Sequence, residues 1–81
     1  MHINADQCRA ARALLNWSRK VLSVQSETAE RTIIDFERGA RSPHISTIKS
    51  IVLAFETAGV KFIDENGGGV GVRFEKPTNS R

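Results

Sequence analysis

The chain is defined first by what it lacks. It has one cysteine, so it can form no internal disulfide and suits a reducing compartment. No apolar run approaches the roughly 18 residues of a membrane span. The opening stretch, MHINADQC, is polar and has no apolar signal core. His2 and His44 are isolated, and no spacing suggests a metal site, so no metal is expected. The triple glycine at 67–69 is not followed by Gly-Lys-Ser/Thr and a helix, so it is no phosphate loop. Cys8 sits on an apolar helical stripe with no base near it in sequence, and reads as a core thiol rather than a nucleophile. These gaps argue against an enzyme, a cofactor or a small-molecule ligand. There is no internal repeat.

At 81 residues the chain is long enough for one small domain with a modest core. Its net charge is +3 and its pI near 9.6, a mildly basic balance compatible with nucleic acid. The charge is uneven. From Arg9 to Lys49 there are eight basic and four acidic residues, and from Ser50 onward four of each.

The stretch from Ser18 to Gly39 organises the rest. Val21, Leu22 and Val24 follow Ser18, which can cap a short helix to about Gln25. A second helical pattern runs from about Thr28 to Arg38, with Ala29, Ile33 and Phe36 at helical spacing and Gly39 as its stop. Two helices joined by so short a link must cross steeply, as in a helix-turn-helix unit. Before it, Asn4 and Gln7 form an Asn-x-x-Gln capping box for a helix from about Ala5 to Leu15, whose inner stripe is Cys8, Ala11, Leu14 and Leu15. Trp17 should pack beneath the second helix. After it, Pro43 blocks helix continuation. A fourth helix from about Ile45 to Ala58 carries Ile48, Ile51, Val52 and Phe55 inward, and Gly59 ends it.

The periodicity then changes. Val60 to Ile63 and Val70 to Phe74 alternate with period two, across the turn-forming Asp64 to Gly69. Val60 and Phe62 are placed on one face, and Val70, Val72 and Phe74 on another. The reading is a mainly α fold with a C-terminal β-hairpin: helices in 1–59, the hairpin in 60–76 and a disordered tail at 77–81. A lone hairpin is marginal in water, so this one must pack on the helices or pair with a second chain.

Arg12, Leu15-Asn16-Trp17-Ser18, Leu22-Ser23, Thr32-Ile33, Phe36-Glu37-Arg38-Gly39, Pro43 and Thr47-Ile48 together carry a family resemblance over about residues 7 to 59. The chain resembles the Cro and phage-repressor (Xre) helix-turn-helix transcriptional regulators. The resemblance implies a four- to five-helix, lambda-repressor-like domain that binds double-stranded DNA in the cytoplasm as a homodimer. It places the third helix in the major groove, with Ala29, Glu30, Arg31 and Asp35 at base edges. Arg31 suits guanine, and Glu30 and Asp35 suit cytosine N4. Ser18, Arg19, Lys20, Thr32, Arg41, Ser42, His44 and Thr47 would meet phosphates. The bland alternative is that these basic residues form an ordinary solvated face. By the same resemblance Arg12 pairs with Glu37 and ties the first helix to the third.

The chain departs from the family in places. Glu27 stands where a turn glycine is usual, Arg19 where a glutamine opens the second helix, and Ile34 where a polar residue faces DNA. Thr28 is expected to cap the third helix one residue early. Ile34, Glu30 and Asp35 also motivate a different reading, a protein-binding module acting as antirepressor, antiactivator or antitoxin. For the dimer, Phe62, Ile63, Val70, Val72 and Phe74 are expected to meet a two-fold mate. The alternatives are a hairpin folded on its own chain, or an interface on the fourth helix.

Overall fold

The computed structural model describes residues 2–76. Four helices, α1 (Ala5–Leu15), α2 (Arg19–Ser26), α3 (Glu30–Glu37) and α4 (Ile45–Thr57), precede two strands, β1 (Val60–Ile63) and β2 (Gly71–Phe74). The tail expected at 77–81 lies outside the described residues. Among those described, no helix is long and apolar enough to cross a membrane.

Local chemistry sets most of the boundaries. The Asn4 side chain accepts from the Gln7 N–H at 2.8 Å, and the Gln7 side chain accepts from the Asn4 N–H at 3.0 Å, which opens α1. Ser18 accepts from the Val21 N–H at 3.1 Å and opens α2. Gly39 and Gly59, at φ of 72° and 98°, follow α3 and α4 in conformations that a side chain would strain.

The start of α3 differs from expectation. Its N-cap is Ala29, with no side-chain cap bond. Thr28 does not cap, because its hydroxyl turns back and donates to the Ser26 carbonyl at 3.2 Å. A buried threonine in a tight turn finds its nearest acceptor behind it rather than ahead.

One core joins helices and hairpin. Cys8, Ala11, Leu22, Ile33, Ile51 and Phe55 are fully buried, and Phe36, Ile48 and Val52 close around them. Trp17 stacks on Phe55 at a centroid distance of 5.7 Å, and Phe62 meets the same ring edge-on at 5.8 Å. Leu14 and Leu15, placed on the inner stripe of α1, are only half-buried at its end.

The strands pair antiparallel, Val60 with Phe74 and Phe62 with Val72. Directly opposed residues point to the same side of a sheet, so Val60, Phe62, Val72 and Phe74 share one face rather than two. That face lies on the helices. Val60 is 2% exposed and Phe62 5%. Phe62, expected at a dimer interface, is therefore core: β1 packs on α1 and α4, and the ring meets Phe55 edge-on. Ile63, Val72 and Phe74 are half-buried, and Val70 precedes β2 and is exposed. The Gln7 amide fastens the hairpin to α1 by donating to the carbonyls of Gly71 at 3.1 Å and Ile63 at 3.4 Å.

Candidate nucleic-acid interface

The link from α2 to α3 is held by α2 itself. The Ser23 hydroxyl donates to the Thr28 carbonyl at 2.6 Å, and the Thr28 N–H returns to the Ser23 carbonyl at 3.1 Å. Ser26 donates to the Leu22 carbonyl at 2.7 Å. Glu27 takes the left-handed conformation, φ 53°, where the chain reverses. A turn clamped this way fixes the angle at which α3 leaves α2.

On α3 the inward residues are Ile33, Phe36 and Glu37. Ala29, Glu30 and Arg31 are left exposed in its first turn, and Thr32, Ile34 and Asp35 half-buried. Arg31 Nε lies 3.4 Å from Asp35 Oδ1, one helical turn on. That contact engages the Nε edge of the guanidinium and leaves the Arg31 side chain 73% exposed. A shallow cleft of about 180 Å³ is lined by Arg31, Thr32, Asp35, Arg41 and Pro43. It brings three residues of α3 together with two from the following loop. Ser42 is exposed beside Arg41, His44 caps α4 by accepting from the Ser46 N–H at 3.2 Å, and Thr47 lies half-buried in the next turn.

The α2 N-terminus is arranged differently. Ser18 and Lys20 are exposed, but Arg19 turns toward the protein and donates from Nε to Glu37 Oε1 at 2.9 Å. Only the outer edge of its guanidinium remains for an anion.

Glu37 is the hub. Its side chain is fully buried. Arg12 grips both oxygens, Nε to Oε2 and Nη2 to Oε1, each at 2.7 Å. Arg12 also donates to the Trp17 carbonyl at 3.0 Å, and Arg9 donates to the Glu37 main-chain carbonyl. The Cys8 thiol donates to Oε2 at 3.1 Å. One carboxylate thus holds α1, α2 and α3 in register. Cys8, read as a thiol without a base nearby, does have a carboxylate partner; folding brings it from 29 residues away.

The ionisation follows. Burial pushes the Glu37 carboxyl upward, but the hydrogen bonds from Arg12, Cys8 and Arg19 outweigh it and hold it below the ordinary value. Arg12 is raised by its hydrogen bond to Glu37. Burial, then the bond to Glu37, drives the Cys8 thiol far above its usual range, so it stays protonated and unreactive.

Among the described residues, no group of three or more His, Cys, Asp or Glu could hold a metal ion. No family model matches the chain, and no curated protein matches it.

Arg19, Cys8 and Gln7 are the residues whose roles the sequence did not announce. Only Gln7 carried a signal, as half of the capping box, and that signal concerned its helix rather than the hairpin.

Proposed function

We propose that the chain is a sequence-specific DNA-binding transcriptional regulator of the helix-turn-helix type, working as a homodimer on a palindromic operator. The observation that supports this most is the exposed first turn of α3. It follows a clamped turn and presents Arg31 across a shallow cleft from Arg41. A helix entering the major groove reads bases with its N-terminal residues and leaves phosphates to flanking cations. Arg31 has the planar donor edge that matches guanine O6 and N7, and Glu30 can accept from cytosine N4. Arg41, Ser42 and Lys20 suit phosphates. The Glu37 hub would set the angle of α3 against α1 and α2. The resemblance to Cro and phage-repressor regulators supplies the regulatory role, in the cytoplasm.

The test is titration of DNA from the protein's own promoter, with random duplex as competitor. Arg31→Ala should weaken specific binding by about 1–3 kcal/mol and relax the preference at one base pair. Arg41→Ala should weaken specific and random DNA alike and lower the salt slope by about one. If neither change is felt, the acidic Glu30 and Asp35 favour the second reading, a module that binds another protein.

A further inference from the structure

We infer that the outer face of α4 is the surface on which a second copy of this chain docks, antiparallel, about a two-fold axis near Leu53. The inference rests on the dimeric reading above and gives that dimer its contact.

With Phe62 taken into the core, the apolar surface available to a mate is small. Leu53, 64% exposed, is the most exposed apolar residue of α4, and Ile45, 45% exposed, lies two turns before it. Leu53 does not stand in a neutral setting. Lys49 lies four residues before it and Glu56 three after, both exposed and on its side of the helix. Ser46, Ser50 and Thr57 flank the stripe on its other side and are also exposed. These small side chains let a second helix come close, within the roughly 8–10 Å of packed helix axes.

A two-fold interface must be complementary to itself. The stripe meets that condition in one direction only. Run antiparallel about a point between residues 52 and 53, each Lys49 faces the mate's Glu56, and the two Leu53 side chains meet at the centre. Run parallel, lysine would face lysine and glutamate glutamate. The charges therefore choose the direction, and the leucine supplies the contact. Beside Leu53 a groove of about 420 Å³, lined also by Ser26, Glu27, Ser50 and Ala54, gives the mate's helix room to seat.

Val24 on α2 is the natural control. It is 67% exposed and has the same spacing, with Lys20 four residues before and Glu27 three after. In the DNA reading Lys20 belongs to the phosphates, so this second stripe stays clear of the mate.

The experiment is sedimentation equilibrium of the full chain without DNA, with circular dichroism to check the fold of each variant. Leu53→Asp should weaken the dimer at least tenfold, and Val24→Asp should leave it unchanged. Lys49→Glu and Glu56→Lys should each weaken it by about tenfold, because both copies of the pair turn repulsive. The double variant, Lys49→Glu with Glu56→Lys, should return to within about threefold of the original. A chain that stays monomeric at about 100 μM, well above the micromolar range of standard-size interfaces, overturns the inference. So does a dimer that tolerates Leu53→Asp, yields to Val24→Asp, or is not rescued by the charge exchange. Because no DNA is present, these outcomes are separate from the DNA reading. A monomer at that concentration also removes the dimeric half of the proposed function, whereas base reading by α3 stands or falls in the titration above.

Discussion

Arg12 and Glu37 meet through two hydrogen bonds of 2.7 Å, one to each carboxylate oxygen, across 25 residues of chain. Removing one partner of a buried pair costs about 3–5 kcal/mol. Here Arg19 and Cys8 remain on the carboxylate, so Arg12→Ala should cost about 2–3 kcal/mol in urea unfolding. Arg19 is more exposed, and Arg19→Ala should cost about 1 kcal/mol or less. The double variant leaves Glu37 only a thiol. Its cost should exceed the sum of the singles by at least about 0.5 kcal/mol. Simple additivity would show that the two arginines do not share the carboxylate.

Acid should loosen the fold through the same residue. The folded carboxyl of Glu37 is held below its ordinary value. A group depressed in this way stabilises the fold at pH above its unfolded value, about 4.3, and the contribution fades as pH falls toward the lower folded value. The melting temperature should therefore be nearly flat from pH 7 to 5 and fall below about pH 4. In Glu37→Gln that acid slope should be shallower and the protein less stable at neutral pH. An unchanged slope would assign the acid sensitivity to other carboxylates.

The buried thiol offers a clock for opening. Cys8 is fully inaccessible and its ionisation is suppressed. Labelling by a disulfide reagent at pH 8 should proceed only through unfolding, so its rate should rise with urea in step with the unfolded fraction. Rapid labelling of the native protein would contradict the burial of α1 against α3.

Glu27 holds a left-handed conformation at the reversal between α2 and α3. That costs an ordinary residue about 1–2 kcal/mol, while glycine adopts it freely at some loss from a more flexible unfolded chain. Glu27→Gly should raise stability by about 0.5–1 kcal/mol, read as a higher urea midpoint with the same slope. A lower midpoint would mean that the Glu27 side chain supports the turn.

Features that depend on neighbours in sequence were legible. The Asn4–Gln7 box, the Ser18 cap, the glycine stops and the apolar spacing of α4 all act within one or two helical turns, and the structure carries them. The pairing of Arg12 with Glu37 comes through the family resemblance, and the folded chain makes it. What was not legible depends on tertiary neighbours. Local spacing points Thr28 forward to α3, but in the buried turn its hydroxyl bonds back to Ser26. Alternation marks a face without naming what covers it, so by sequence Phe62 reads as spare; Phe55 covers it. Arg19 and Cys8 converge on Glu37 from 18 and 29 residues away, and no local pattern encodes such a meeting.

The Gln7 amide bridges to carbonyls 56 and 64 residues further along. A polypeptide made from its N-terminus presents Gln7 long before Ile63 and Gly71 exist. During synthesis α1 therefore has its ties to Glu37 before its ties to the hairpin, and the pocket around Phe55 lacks Val60 and Phe62. The four helices alone thus leave the side of Phe55 that Phe62 covers unfilled. A released chain ending before β1 should consequently be digested faster by protease than one ending just after β2, although both contain all four helices.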